Sequence, residues 1–346
     1  MRIIKQYCLL LIIFCSVTFF GCKDSKRVEA AREAKGQVVL GGTLNVPVYS
    51  TPATFLPSSI TNQIATQIGT QVHCGLLRMD PQSLEVVEGI ATSWSVDEAG
   101  TSYVFKLRGG ASFHPDKCFG NSRREVTAED FKYSFYELCK PNSGAYEITF
   151  KDRVKGAEAY HNGETNEIEG IDVVDDYTLR IELLKPDPSF LFVLAQPSTA
   201  VISKTAHTEY GDELKNGAGP FMWAKGNADV ALVRNPNYFQ QDAFGNTLPY
   251  IDTLNFKVLK TKELELEALF KDEIDMVVNL SLDPVKLILE QNVRAFSGSE
   301  AKYVLNRETE SAGYDMYTMY NKEVRGFDNN FMSYWDFARV QMVPAE

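Results

Sequence analysis

Residues 93–114 read "SWSVDEAGTSYVFKLRGGASFH" and contain two short runs in which apolar and polar residues alternate. In the first run, Trp94 and Val96 share one side. In the second run, the residues that share one side are Tyr103, Phe105 and Leu107. The turn sequence "DEAG" separates the runs, and two glycines follow the second. The pattern predicts a β-hairpin with one apolar face.

A helix is predicted downstream, at "VTAEDFKYSFYELC", residues 126–139. Thr127 can cap its amino end, and Glu129 and Asp130 place negative charge in the first turn, where the helix dipole favours it. The buried stripe is predicted to consist of Phe131, Phe135 and Leu138.

Other segments show the same two periodicities. Alternation predicts strands at residues 44–48 and 254–258 and a second hairpin at residues 171–184. Helical spacing predicts a helix within residues 60–77, and "ELELEALFKDEIDMVVNL" predicts a helix, a turn and a strand. Strands and helices in this mixture predict a mixed α/β fold.

Composition limits the choice of function. The chain has 346 residues, a length that suits two modest domains or one large composite one. Its formal net charge is −11, which disfavours nucleic acid and anionic lipid headgroups as partners. HExxH, GxSxG and phosphate-loop patterns are lacking in the sequence, so neither a metal, a cofactor nor an enzyme activity is predicted.

The amino-terminal sequence predicts export. Residues 1–21 have the charged-then-apolar order of a signal peptide, and "TFFGC" resembles a bacterial lipobox, which implies that Cys22 is lipidated. The alternative is an ordinary signal peptide with an incidental cysteine. Residues 22–37 are polar and are predicted to form a tether. Because export leads to an oxidising compartment, a disulfide is possible, and Cys118 and Cys139 are the better-placed candidates.

Six segments in order resemble the family 5 solute-binding proteins of ABC importers, which include dipeptide and oligopeptide binders. The segments are "GLLRMDP", "SWSVDEAGTSYVFKLRGGASFH", "VTAEDFKYSF", "GAGPF", "LVRNPNYF" and "ALFKDEIDMVVN". The resemblance implies a periplasmic-binding-protein-like type II large lobe with mixed sheets and flanking helices. It also implies a lipid-anchored monomer on the outer side of a bacterial membrane, which passes a peptide or other small solute to ABC permease and ATPase subunits.

The resemblance also suggests where a solute would bind. The segment "VYSTPATFLP" matches the part of the family that lines the first-lobe side of the cleft, so Ser50, Thr51 and Ala53 are candidates to bind a peptide through backbone groups. Trp223, just after "GAGPF", is expected either to stack on the solute or to fill the core. His114 is expected to be a structural turn residue.

The chain departs from the family after residue 279, where most of the second lobe is expected to be truncated or absent. We expect a first lobe at residues 38–258, a hinge and second-lobe remnant at 259–302, and a carboxy-terminal segment at 303–346 that returns to the first lobe. The predicted cover for that lobe consists of Tyr314, Tyr317, Tyr320, Phe327, Phe331, Tyr334, Trp335 and Phe337. Three explanations remain open: a deletion or faulty gene model, a working short variant, or a misplaced tail alignment. The alternative functions are a non-transporting truncated relic or surface lipoprotein, and a secreted hydrolase.

Overall fold

The structure of the chain is a computed structural model. It describes residues 32–121, 124–224, 230–291, 293–297, 301–309, 315–327, 330 and 334–344. The predictions for the signal peptide, Cys22, Tyr314 and Phe331 concern residues outside these ranges. No helix in the described ranges is both long enough and apolar enough to cross a bilayer.

Strands and helices alternate irregularly along the described residues, as the mixed α/β prediction requires. The strands are β1 Arg32–Glu33, β2 Val39–Leu40, β3 Thr43–Val48, β4 Leu77–Met79, β5 Val86–Glu88, β6 Ala91–Val96, β7 Ser102–Leu107, β8 Ile171–Asp175, β9 Thr178–Glu182, β10 Phe221–Trp223, β11 Val230–Arg234, β12 Thr253–Val258, β13 Met276–Leu280, β14 Tyr303–Thr309, β15 Asp315–Asn321, β16 Val324–Arg325 and β17 Gln341–Met342. The helices are α1 Gln63–Val72, α2 Ala128–Leu138, α3 Tyr146–Thr149, α4 Ala157–His161, α5 Phe190–Leu194, α6 Lys204–Tyr210, α7 Lys262–Phe270, α8 Leu282–Gln291 and α9 Val293–Phe296.

The predicted hairpin is present as β6 and β7, which pair antiparallel. At its turn, the Asp97 carboxylate accepts hydrogen bonds from the backbone nitrogens of Thr101 and Ser102, at 2.8 and 3.0 Å. The apolar face is buried along β7. Val96 pairs with Tyr103 on that face but is 50% exposed, because it lies next to the turn at the edge of the core.

The hairpin forms half of a four-stranded antiparallel sheet in the order β6-β7-β9-β8. Helix α2 packs on β8 and β9. It begins as predicted, because the backbone nitrogen of Thr127 donates to the Asp130 carboxylate at 2.9 Å in a capping box. Its predicted stripe is buried in the core of this sheet and consists of Phe131, Phe135 and Leu138.

A second four-stranded sheet has the order β10-β11-β12-β3. Strands β10, β11 and β12 pair antiparallel, whereas β12 and β3 pair parallel, with Thr253 opposite Thr43. The tail of the chain packs on this core. Phe337 lies 5.5 Å from Phe327 and 5.8 Å from Trp335 between ring centroids, and all three rings join the core of the sheet.

A third, smaller sheet has the order β13-β15-β14 and packs with α7, α8 and α9 around its own apolar cluster. This arrangement differs from the expectation that residues 303–346 all return to the first lobe. The segment first forms a seven-pair hairpin of β14 and β15, and it joins the core of the second sheet from Tyr320 and Val324 onward. Strand pairing explains the difference, because β15 pairs with both β14 and β13 before the tail begins.

The amino end of the described fold also differs from the expectation. Residues 32–37, assigned to the tether, contribute β1, which pairs with β2. The backbone of Lys35 is held by the Asn246 side chain, with N–H to Oδ1 at 3.1 Å and Nδ2 to O at 2.8 Å. Ordered contacts with the body therefore begin before Val38.

The expected disulfide between Cys118 and Cys139 is not formed in the structure, where both thiols are free. Cys118 lies in a short 3-10 helix beside Asp116 and Glu209. Cys139 ends α2 in the core, and its carbonyl faces the His161 ring nitrogen at 3.0 Å. The two side chains therefore have different surroundings, and flanking one loop and helix does not bring them together.

Candidate functional site

A cavity with a volume of about 850 Å³ opens to solvent. Its walls come from the loop after β3, the turn after β7, the segment before β10, and β10 with its flanking residues. The lining residues are 51–55, 114–117, 210, 212, 213, 215, 216, 222–224 and 230. This volume lies in the range of small-molecule pockets, and polar and apolar groups both line it.

Three of the four predicted binding residues line this cavity: Thr51, Ala53 and Trp223. Ser50 precedes them in the chain but is not among the lining residues. The loop is held in place by Thr54, whose hydroxyl donates to the Asp212 carbonyl at 3.0 Å and accepts from the Leu56 nitrogen at 3.1 Å. The structure thus brings two distant parts of the prediction to one surface. Their role in binding stays a prediction.

Trp223 has features of both expected roles. Its ring packs on the edge of the second sheet's core and contacts Phe55, with ring centroids 4.4 Å apart. It also lines the cavity, and the Lys215 ammonium lies over its ring at 5.2 Å. Its Nε1 is buried and has no hydrogen-bond partner among the described residues.

His114 is a buried structural residue, as predicted. Its backbone nitrogen donates to the Gly217 carbonyl at 2.7 Å, and its Nδ1 accepts from the Gly217 nitrogen at 3.3 Å. Because Nδ1 accepts, Nε2 carries the proton and donates to the Gly219 carbonyl at 2.9 Å. Burial lowers the pKa of His114 to about 4, so the ring is neutral near pH 7.

A second buried histidine, His73, was not singled out from the sequence. It follows α1, and its Nε2 lies 2.8 Å from the carbonyl of Phe55. Burial, and then the nearby His114, lower the pKa of His73 to about 4. No local pattern marks this residue, because its partner belongs to a loop that precedes α1. The two histidines therefore hold two walls of the cavity, one at Phe55 and one at Gly217.

The "GAGPF" loop needs its glycines for close approach to α1. A Cβ on Gly217 would lie 2.1 Å from the Val72 carbonyl oxygen, and one on Gly219 would lie 2.6 Å from the same atom. The Gly219 nitrogen donates to that oxygen at 2.8 Å. Backbone contact with α1 thus fixes the loop that carries Asn216 and leads into Trp223.

Charged side chains of both signs border the cavity. Asp116 accepts hydrogen bonds from the Tyr210 hydroxyl and the Cys118 nitrogen. The exposed charged groups are Lys117, Asp212, Glu213 and Lys215. In the described part of the chain, His, Cys, Asp and Glu side chains form no group of three that could hold a metal ion. The arrangement offers hydrogen bonds and apolar surface, which suit binding of a small polar solute.

Comparisons with known proteins agree with the geometry. Residues 85–331 match the family described as bacterial extracellular solute-binding proteins, family 5 Middle. The chain is 28% identical to di/tripeptide-binding protein 2 of Pseudomonas aeruginosa, over 72% of this chain and 48% of that protein. It is 26% identical to heme-binding protein A of Haemophilus influenzae, over 88% of this chain and 55% of that protein.

A solved structure shows the same fold. The substrate-binding domain of an oligopeptide ABC transporter from Bacillus anthracis superposes with a TM-score of 0.64 at 25% identity, over 79% of this chain and 50% of that one. The chain spans about half the length of the relatives it matches. By the family match over most of its residues, the chain belongs to the bacterial extracellular solute-binding proteins of family 5.

Proposed function

We propose that the chain is the extracytoplasmic substrate-binding component of an ABC importer, which captures a peptide or similar small solute and delivers it to permease and ATPase subunits. The observation that carries the proposal is the cavity of about 850 Å³ between the residue 51–55 loop and Trp223. Membership in the family supports the same function.

The cavity wall suits a peptide for a physical reason. The 51–55 loop is fixed at Thr54 and Phe55, so its backbone groups are held in place before a solute arrives. Preorganised groups lose little entropy on binding, and backbone groups bind peptides without selecting their side chains. We assign this contact to Thr51 and Ala53, which line the cavity, and to Ser50 beside them, with Trp223 next to the loop through its contact with Phe55.

Calorimetry tests the proposal. The purified chain is titrated with a di- to pentapeptide library, and with heme because one relative carries that name. We expect heat with some peptides and a rise in melting temperature with the same ones. The variant Ala53→Trp, which adds a large ring to the cavity wall, should weaken binding. Val174→Trp, at a 52% exposed position away from the cavity lining, is the control. The proposal would be refuted if no member of the panel gave heat on titration and none raised the melting temperature.

We also propose that the solute leaves chemically unchanged and that the protein acts as a lipid-anchored monomer outside the cytoplasmic membrane. Mass spectrometry of the recovered solute tests the first point. Mass spectrometry of the chain from bacterial membranes tests the second, and we expect an acylated Cys22. An unmodified Cys22 in that fraction would contradict the lipid anchor.

A further inference from the structure

We propose that Trp223 and Asn216 select neutral amide groups of the solute, with Trp223 Nε1 donating a hydrogen bond to an amide oxygen and Asn216 Oδ1 accepting one from an amide nitrogen. This inference rests on the proposed solute-binding function. It adds two recognition residues and the chemical class of the group that they bind.

The starting observation is a pair of buried polar atoms that share one cavity. Trp223 Nε1 and Asn216 Oδ1 are both buried without a hydrogen-bond partner among the described residues, and both side chains line the cavity. Asn216 is only 7% exposed. Buried polar groups without partners are rare and cost free energy, so two of them in one cavity wall indicate a place where a solute supplies the missing partners.

The orientation of Asn216 is set by its surroundings. Its Nδ2 donates to the His114 carbonyl at 2.9 Å, and a carbonyl can only accept. The amide oxygen is therefore the atom without a partner, and it can only accept. The neighbouring Gly217 is held to His114 through both its nitrogen and its carbonyl, so the backbone of Asn216 is fixed as well.

The surroundings of Trp223 favour contact through its edge. Phe55 packs at an interplanar angle of 61°, and the Lys215 ammonium lies over the ring. These neighbours leave less of the ring for stacking on a solute. The indole nitrogen is a donor and cannot accept.

One fixed donor and one fixed acceptor distinguish between classes of solute group. A carboxylate offers no proton to Asn216, and an ammonium offers no lone pair to Trp223. Amide groups supply both an acceptor and a donor, as in a peptide main chain or a carboxamide side chain. Satisfying both atoms therefore favours amides over either charged group.

Binding experiments with Trp223→Phe test the inference, because phenylalanine keeps an aromatic ring beside Phe55 but removes the donor. We expect the affinity for a bound peptide to fall about 3- to 10-fold, which is the effect of one hydrogen bond. The control is Trp94→Phe, at a half-buried tryptophan of the β6–β7 hairpin outside the cavity lining. On the solute side, N-methylation at one amide position should cause a loss of similar size.

A spectroscopic readout separates recognition from a structural role. The chain contains three tryptophans, so ¹⁵N-labelled indole gives three N–H signals, and Trp223→Phe identifies one of them. Peptide or N-methylacetamide should shift the Trp223 signal and leave that of Trp94 in place. If the chain binds peptides but neither the variant nor the Trp223 signal responds, the inference is wrong and the proposed function stands. If the chain binds heme but neither peptides nor N-methylacetamide, the inference is wrong and the proposed function stands. If it binds none of these, both are wrong.

Discussion

Acidification from pH 7 to pH 5 should destabilise this protein through His73 and His114. Both rings are neutral and buried in the folded chain, where their pKa values are lowered to about 4 from 6.5. As the pH falls from 7 to 5, the excess of protons that the unfolded chain binds at these positions over the folded chain grows towards two. The free energy of unfolding therefore rises with pH in this window. The contribution of the two neutral histidines to it is lost as the pH falls from 6.5 towards 4.

The size of the effect follows from the two shifts. One pKa unit corresponds to about 1.4 kcal/mol, so each histidine removes about 2 kcal/mol between pH 6.5 and pH 5. The pair together removes about 4 kcal/mol, a large part of the stability of a typical domain, which is about 5–15 kcal/mol. Protonation would also break the acceptor role of His114 Nδ1 towards Gly217.

Buried carboxyl groups act in the opposite direction. Burial raises the pKa of Asp275 from 3.8 and that of Glu265 from 4.5, so protonation of these two favours the folded chain. Burial acts to raise the pKa of Asp242, but its hydrogen bonds outweigh this effect and lower the pKa to about 2. The stability that Asp242 contributes is therefore lost only below pH 3.8. The histidine effect should therefore be clearest between pH 6.5 and pH 5.

Urea unfolding followed by tryptophan fluorescence at half-unit pH steps measures the slope. The double variant His73→Gln/His114→Gln keeps a neutral hydrogen-bonding side chain at both positions but cannot titrate. We expect it to be less stable at pH 7 and to lose most of the slope between pH 6.5 and pH 5. An unchanged slope in the double variant would refute the reasoning, as would NMR titration of either ring near pH 6.5 in the folded protein.

Three substitutions test the packing. Gly217→Ala should lower the free energy of unfolding by about 3 kcal/mol, because the added Cβ would lie 2.1 Å from a backbone oxygen. Gly109→Ala is the control: its Cβ has room, so the same urea titration should show a loss of under about 1 kcal/mol. Thr127→Ala should cost about 1 kcal/mol by removing the helix cap, measured by circular dichroism during urea unfolding. Phe337→Ala should cost about 3–5 kcal/mol, against less than about 0.5 kcal/mol for Leu287→Ala, which is 55% exposed. Equal costs for that last pair would show that the tail does not close the core.

Local patterns predicted the elements that depend on local contacts. The β6–β7 hairpin and α2 follow from alternation, turn residues and a cap, all within a few residues of one another. The sheet β13-β15-β14 did not follow, because it depends on which of several alternating segments pair across long separations. For the same reason, the predicted start of the return to the first lobe, at residue 303, is too early.

The residues of the candidate site also divide into those that local sequence patterns could predict and those that they could not. The 51–55 loop and Trp223 could be predicted, because they lie beside segments that resemble the family. His73 and Asn216 could not, since each acts through a contact that no local pattern contains. His73 meets Phe55 across 18 residues, and Asn216 meets His114 across 102. The Cys118–Cys139 expectation failed because sequence proximity to one helix says nothing about which way two side chains point.

The parallel pairing of β3 with β12 has a consequence for how the chain is made. Asn45 and Asn255 are hydrogen-bonded neighbours separated by 210 residues, and the aromatic rings that close their core come later still. A nascent chain emerging from a ribosome would expose β3 long before β12 and the aromatic residues of the tail exist, so this core cannot close until Phe337 has been made. We propose that this chain is exported, and such a delay would keep it unfolded for passage through a secretion channel.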